Sequence, residues 1–368
     1  MKVGVLGAGQ LGRMMALAGY PLGIRCAFFD GDLNAPAAPL GQNFGKDELD
    51  AFLATVDVVT YESENISADL ADYVAQKKPI FPGPLSLRVS QNRLNEKRLC
   101  NELGIPTPAF RAINSLADLK QAADEIGLPA VLKTTTMGYD GKGQAVLKKP
   151  EDLEAAWNTL GAQAPLILEA FVNFTRELSI LAVRNAAGET AFYPLTENWH
   201  YEGILRYSIA PAESVNAELQ AKAEDYIRKL LAHLDHVGML TLELFHTADG
   251  QLVANEMAPR VHNSGHWTIE GAETSQFENH LRAICGKPLG STEAREPSAM
   301  VNIIGQYGDL DAVLRQPGAH LHTYDKDERP ARKIGHINLH CHNHTELHDK
   351  IRAFRAWLPA SAPILTDN

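Results

Sequence analysis

The sequence predicts a mixed architecture: a doubly wound parallel α/β unit at the start, then an α+β body. Three observations carry this expectation. Short apolar runs alternate with helical segments through the first hundred residues. A glycine turn joins the first apolar run to the first helical one. From Ala130 onward the apolar runs come in close pairs, the clearest of them around Asp249-Gly250. A chain of 368 residues also needs more than one core, because single cores seldom grow past about 250–300 residues.

Taken in order, Val3–Leu6 is an apolar run that ends in Gly7-Ala-Gly-Gln-Leu-Gly12, and Arg13–Ala18 follows with helical spacing. Cys26–Phe29 is a second strand closing at Asp30, Val56–Thr60 a third, and Ile80-Phe81 one more. Ser90–Leu103 has helical character, with Gly104 placed to cap it and Pro106 and Pro108 beyond. Ala130–Lys133 and Gln144–Leu147 are strands joined by a glycine-bearing loop. Leu166–Leu168, Leu178–Val183 and Ala191–Leu195 follow as strands, and Ala217–Leu234 as a helix. Met239–Phe245 and Gln251–Ala254 form a hairpin. The tail beyond Pro288 holds short strands, a charged loop over Asp325–Lys333 and a last helix near Thr345–Trp357.

Composition narrows the function classes. Hydrophobic residues make up 45% and charged residues 21%, which is ordinary globular usage and excludes a disordered chain. Lys and Arg number 34 against 45 Asp and Glu, a net charge of −11. That balance argues against a nucleic-acid partner, since such domains carry a basic excess. Cys26, Cys100, Cys285 and Cys341 are scattered with no C-x-x-C pair, the pattern of a reducing compartment. No run approaches the roughly 20 apolar residues of a membrane span. A cytoplasmic protein with no membrane partner is expected.

Gly7-x-Gly9-x-x-Gly12 after a strand, with Asp30 at the end of the next, fits a dinucleotide fingerprint. An NAD(P)-dependent dehydrogenase is therefore one reading. The same turn also suits any small ligand near Gly9, Gln10 and Leu11, or close helix–sheet packing. Glu62 and Asn65 lie just past a strand end and would face the same crevice, although Glu62 and Glu64 also read as solvated loop acids.

The hairpin yields a sharper inference. A two-residue turn at Asp249-Gly250 sets Ala248 opposite Gln251 and, further along, Glu243 opposite Glu256. Like charges so placed repel, and a divalent cation between them reverses the sign. Mg²⁺ is held in this way, by one or two carboxylates plus substrate phosphates. Leu242, Leu244, Leu252 and Ala254 around them argue against an exposed edge. Lys133 ends an apolar strand and needs an anionic partner, and Met137–Gly143 supplies backbone to fold over phosphates. Together these features point to a nucleotide with its metal.

On these residues the chain resembles the N5-carboxyaminoimidazole ribonucleotide synthetases, a purine-biosynthesis family of ATP-grasp ligases. The resemblance rests on Gly9–Met14, Gly104-Ile-Pro-Thr-Pro108, Gly138–Gln144, Tyr193–Asn198, Asn255–Trp267 and Arg329–His336. It implies an ATP-grasp fold preceded by a Rossmann-like doubly wound domain and followed by a small β-rich C-terminal domain. The expected divisions are 1–96, 97–287 and 288–368.

For ATP the resemblance implies Arg93 and Lys133 as cations. The phosphates would be covered by Gly138, Tyr139, Asp140, Gly141, Lys142, Gly143 and Gln144. Glu169, Ala170, Phe171 and Val172 would form the hinge at the adenine, Glu177 would hold the ribose, and His200 and Asn255 join them. Glu243 and Glu256 would hold Mg²⁺, with Mn²⁺ as a substitute. For the aminoimidazole ribonucleotide and bicarbonate it implies Asp140, Arg260, His262, Asn263, Ser264, Lys326 and Arg332, of which Arg260, His262, Lys326 and Asp140 stand at the reacting groups. A homodimer is implied as well. A non-catalytic nucleotide sensor of the same fold would be expected to lack a metal ligand or a basic residue, and none is missing.

Two departures stand out. His336, His340, His342 and His344 have even spacing, which puts them on one face of a strand with Cys341 opposite. An exposed polar strand is expected there, with zinc or nickel binding as the alternative. Ala331 stands where the family commonly has glycine.

Overall fold

The computed structural model describes residues 1–32, 34–137 and 143–358. The first unit contains β1 (Lys2–Leu6), α1 (Gln10–Gly19), β2 (Arg25–Phe29), β3 (Gln42–Phe44), α2 (Leu49–Thr55), β4 (Val58–Tyr61), α3 (Ala68–Ala75), α4 (Pro84–Ser90) and α5 (Arg93–Glu102). Its strands form a parallel sheet in the order β3-β2-β1-β4, as the alternation of strands and helices requires. Ile80 makes only a single bridge to Val59, so the strand expected at Ile80-Phe81 does not form. The helix expected over Ser90–Leu103 is broken, because the Asn92 side chain accepts from the N–H groups of Leu94 and Asn95 and starts a new helix at Arg93. Gly104 follows that helix with φ +70°, where glycine carries no Cβ penalty.

The second unit contains β5 (Phe110–Ile113), α6 (Leu116–Ile126), β6 (Ala130–Thr134), β7 (Gln144–Leu147), α7 (Asp152–Leu160) and β8 (Leu166–Ala170). Its antiparallel sheet has the order β5-β8-β6-β7, with α6 and α7 closing a separate core around Leu119, Leu132, Leu153 and Leu168.

The remainder of the chain builds one large sheet. In order come β9 (Phe174–Arg184), β10 (Thr190–Phe192), β11 (Thr196–Tyr201), β12 (Ile204–Ala210), α8 (Ala217–His233), β13 (Gly238–Thr247), β14 (Leu252–Ala258), α9 (Thr268–Gly271) and α10 (Gln276–Ile284). Then follow β15 (Ser298–Ile304), α11 (Leu310–Leu314), β16 (Ala319–Thr323), β17 (Lys333–His340) and α12 (His344–Ala353). The sheet runs β14-β13-β9-β11-β12-β15-β17-β16, so the C-terminal strands extend the same sheet that carries the hairpin. α8 covers one face with an apolar stripe of Ala223, Ile227, Leu230 and Leu231. No helix among the described residues is long and apolar enough to cross a membrane.

The first unit is welded to this sheet through a shared core of Val3, Val5, Met15 and Phe28 with Met239, Trp267, Phe277 and Leu281. Two buried histidines cross the seam. The Met239 N–H donates to His280 Nδ1 (3.1 Å), so His280 Nε2 carries the proton and donates to Thr60 Oγ1 at 2.9 Å. His236 Nε2 donates to the Met239 carbonyl (2.9 Å), and its Nδ1 then accepts from the Ser86 hydroxyl (2.9 Å). Both rings are satisfied only when neutral. Burial pushes His236 down to about 4 and His280 to about 3.

The sign of the pH effect follows. Below about pH 6.5 the unfolded chain binds protons that the native chain refuses. Stability therefore falls as pH drops from about 6.5 towards 4, by at most about 1.4 kcal/mol per pH unit for each histidine. Urea denaturation across that range should show a shallower slope in the His236→Gln/His280→Gln protein, and equal slopes would contradict the account.

Candidate active site

The site begins at the α1 N-terminus. Gly7 bends the chain out of β1 with φ +105°, and the N–H groups at the start of α1 then lie without partners inside the helix. A carboxylate of the protein itself takes them. Glu62, just past β4, accepts from Gly9 N–H at 2.5 Å and Gly12 N–H at 2.7 Å, while Asp30 accepts from Ala8 N–H at 2.9 Å. A dinucleotide pyrophosphate needs those same groups, so the dehydrogenase reading fails on geometry. Glu62 is not a solvated loop acid. Its burial raises its pKa, and the two backbone N–H groups oppose that rise.

Glu64 is half-buried. It grips the Arg260 guanidinium from two sides, with Arg260 Nη2 to Glu64 Oε1 at 2.9 Å and Arg260 Nε to Glu64 Oε2 as the second contact. Burial disfavours this carboxylate, yet Arg260 outweighs it and holds the pKa below the usual range. Asn65 is exposed, and its backbone N–H meets Ser63 Oγ at 3.2 Å. Lys326 Nζ donates to Gln10 Oε1 at 2.5 Å, which ties the charged C-terminal loop to α1. Burial, and then the neighbouring charges of Arg332, Lys333 and Arg329, push Lys326 down to about 8. Ala331 in that loop has φ +60°, the left-handed region that explains why glycine suits the position.

The two glutamates of the hairpin do face each other, with Glu243 paired to Glu256. The route differs from the two-residue turn. Thr247 N–H bonds the Gln251 carbonyl (3.0 Å), and Gly250 closes a three-residue loop with φ +78°. Leu244 then faces Ala254, a register that would set Glu243 against Asn255. A bulge at Asn255 restores the glutamate pair. The hairpin also lies at the sheet edge, with β14 outermost, and Glu256 is 49% exposed while Glu243 is 15% exposed. Burial first, and the facing Glu256 second, raise Glu243 to about 7.

His262 approaches from the chain after β14. Ser264 N–H donates to its Nδ1 (3.3 Å) and the Ser264 hydroxyl lies 2.8 Å from the same atom. The ring proton therefore sits on Nε2, 3.3 Å from Glu243 Oε1. Burial, and then Arg260, keep this ring neutral well below its ordinary value. Ser264 is itself braced by Ser179 on β9 (2.9 Å), and Asn263 exchanges amide hydrogen bonds with Asn302 on β15.

On the other side, Lys133 finds its anionic partner inside the protein. Its Nζ donates to Glu169 Oε2 at 2.8 Å, and Lys97 Nζ stands 3.9 Å from Glu169 Oε1. Burial would raise Glu169, but the two lysines hold it low. The chain leaves β8 through Ala170, the exposed Phe171 and Val172. Glu177 on β9 pairs with His200 Nδ1 at 2.8 Å, which more than offsets the effect of burial and raises that imidazole. Arg93 starts α5, donates to the Thr134 carbonyl (3.0 Å) and lies 4.0 Å from Glu256. Gly143, with φ +70°, and Gln144 lead into β7. Gly138, Tyr139, Asp140, Gly141 and Lys142 lie outside the described residues.

The histidine-rich stretch is not an exposed strand. β17 is buried along most of its length, His336 is fully buried against Tyr324 OH (2.7 Å), and Cys341 lies past the strand end. His340 and His342 share Glu296, each at 3.0 Å. Among the described residues no three His, Cys, Asp or Glu side chains converge to hold a metal by themselves. Sequence reasoning missed Glu96, Lys97 and the Glu64–Arg260 pair. The available signal was the position of Lys97 one helical turn after Arg93.

Residues 1–91 match the ribonucleotide synthetase preATP-grasp domain, 98–277 the ATP-grasp domain, and 298–350 the phosphoribosylaminoimidazole carboxylase C-terminal domain. Fold and crevice thus define an ATP-grasp ligase. The N5-carboxyaminoimidazole ribonucleotide synthase of Pseudomonas aeruginosa is 50% identical over 365 residues, covering 98% of this chain and 100% of that protein. The N5-carboxyaminoimidazole ribonucleotide synthetase structure from Thermus thermophilus superimposes with TM-score 0.92 at 47% identity, over 97% of this chain and 98% of that one. The Aspergillus clavatus enzyme, solved with ADP and 5-aminoimidazole ribonucleotide, gives 0.90 at 32% identity and 99% coverage of both chains. The chain belongs to the N5-carboxyaminoimidazole ribonucleotide synthase family.

The Glu62 contacts make a double-mutant test. A Cβ at Gly9 would sit 2.7 Å from Glu62 Oε1. Gly9→Ala should therefore destabilise the wild-type protein by about 1–3 kcal/mol and cost measurably less in the Glu62→Ala background. Additive costs in chemical denaturation would remove Glu62 as the group that fills this turn.

Proposed function

We propose that the chain carboxylates 5-aminoimidazole ribonucleotide with bicarbonate and ATP, giving N5-carboxyaminoimidazole ribonucleotide, ADP and phosphate through carboxyphosphate. The observation that carries this reading is a run of contacts: Arg93 lies 4.0 Å from Glu256, Glu256 faces Glu243, and Glu243 Oε1 lies 3.3 Å from His262 Nε2. Lys133 on Glu169, Arg260 on Glu64 and Lys326 on Gln10 of the α1 turn supply the cations around it. The division at 1–96, 97–287 and 288–368, a cytoplasmic location and a homodimer belong to the same reading.

Bicarbonate is a weak electrophile. One of its oxygens attacks the γ-phosphorus of ATP and ADP leaves, a step whose catalysis is mainly positioning and charge neutralisation. Arg93 and Lys133 would neutralise the phosphates, with Gly138–Gln144 over them. Glu169 to Val172 would border the adenine, Glu177 the ribose, and His200 and Asn255 would complete the nucleotide site. Two facing carboxylates, one of them largely buried, fit a hard divalent cation, and Mg²⁺ or Mn²⁺ bound there would supply charge neutralisation of the triphosphate.

Arg260 offers a planar fork to the bicarbonate oxyanion. His262, neutral, presents its Nε2–H to the same end of the site. Cleavage of the C–O bond in carboxyphosphate releases CO₂ beside the ribonucleotide amine. The amine nitrogen bonds that carbon, and phosphate takes its proton. Lys326 and Arg332 would clamp the 5′-phosphate. Gly9, Gln10, Leu11, Glu62, Asn65, Asn263 and Ser264 would border the ribonucleotide, with Asp140 orienting the amine.

ADP release should require bicarbonate and rise on addition of 5-aminoimidazole ribonucleotide, as followed by a coupled assay. Release that is indifferent to the ribonucleotide would overturn the proposal. Glu256→Gln should lower turnover by at least about 100-fold while the thermal midpoint stays near that of the wild type. Retained turnover would remove Glu256 from the metal site.

A further inference from the structure

The bulge that brings Glu256 opposite Glu243 is held from behind by α5. Lys97 Nζ donates to the Ala254 carbonyl at 3.1 Å and to the Asn255 carbonyl at 2.5 Å. Glu96, the preceding residue, accepts from Met257 N–H at 3.2 Å. Two consecutive helical residues thus grip β14 on both sides of Glu256, at 254 and 255 before it and at 257 after it. Both side chains are buried, and the Glu169 carboxylate lies 3.9 Å from the Lys97 ammonium, beyond hydrogen-bond reach. A buried ammonium spent on two backbone carbonyls is costly for a role in packing alone, since an apolar side chain of that length would avoid the desolvation. It is well suited to a different task. Bulged strands bend and lose ladder bonds, and at a sheet edge nothing in the sheet itself restrains the extra residue.

We propose that Lys97, with Glu96, is a positioning residue of the cation site: it pins the Asn255 bulge so that the Glu256 carboxylate meets Glu243. The same ammonium lies against Glu169, the partner of Lys133, so a single buried charge couples the register of the hairpin to the nucleotide end of the crevice. This inference rests on the reading of Glu243 and Glu256 as the metal pair.

The test is Mn²⁺ binding in the presence of ADP, measured by electron paramagnetic resonance on the full chain, together with amide hydrogen exchange. Lys97→Met keeps the length and removes the donors. It should weaken Mn²⁺ binding by about 10–100-fold and raise exchange in the segment 252–258, leaving exchange in the first unit unchanged. Unchanged Mn²⁺ affinity in folded Lys97→Met protein overturns the inference. Should that variant fail to fold, Glu96→Leu, which removes only the acceptor for Met257, carries the same expectation and the same refutation. Glu256→Gln separates the two claims. If it binds Mn²⁺ as the wild type does, the metal reading itself falls and the positioning role falls with it. If it loses Mn²⁺ while Lys97→Met does not, only the positioning role falls.

Discussion

Two carboxylates that face each other across a strand pair repel, and the protein has built such a pair at the edge of its largest sheet. Holding Glu243 against Glu256 takes a three-residue loop, a one-residue bulge and two buried side chains of α5. The three-residue loop by itself would set Glu243 against Asn255, and the bulge, gripped by α5, restores the glutamate pair. The surrounding arrangement follows from that requirement: α5 must lie behind β14, and Arg93 at its first turn then falls 4.0 Å from Glu256.

The cations of the crevice are already committed within the protein. Lys133 lies on Glu169, Arg260 on Glu64, and Lys326 on Gln10. On the proposed reading, anionic substrates would exchange partners with these side chains instead of entering an open positive field. This reconciles a net charge of −11 with a site for ATP, bicarbonate and a nucleotide phosphate. Net charge governs the long-range field and solubility, whereas the site depends on pairs a few ångströms long. Burial and three neighbouring cations push Lys326 down to about 8, and an arriving anion would favour its charged form.

Much of this was legible in the sequence. The alternation of strands and helices, the glycine turn and the Asp249-Gly250 hairpin are local signals, and they locate the elements within a few residues. The facing glutamates were legible through the wrong turn, because the loop is one residue longer than assumed and the bulge at Asn255 compensates for it. Contacts across long separations left no such trace. Glu62 reaches back to Gly9 over 53 positions, Glu64 to Arg260 over 196, and Lys97 to Asn255 over 158. A charged residue that finds its partner in another element looks in sequence like a solvated one, which is why Glu64 reads as a loop acid. His336 misleads for the opposite reason: its even spacing marks a strand, but its burial is set by the rings of His266, His322 and Tyr324 packed against it.

ATP cleavage is joined to carboxylation, on the proposed reading, through a phosphorylated bicarbonate. Bicarbonate labelled with ¹⁸O tests this directly. If a bicarbonate oxygen attacks the γ-phosphorus and the resulting C–O bond later breaks, the phosphate released during synthesis must carry one labelled oxygen, as mass spectrometry would record. Unlabelled phosphate formed in step with carboxylated product would contradict the account.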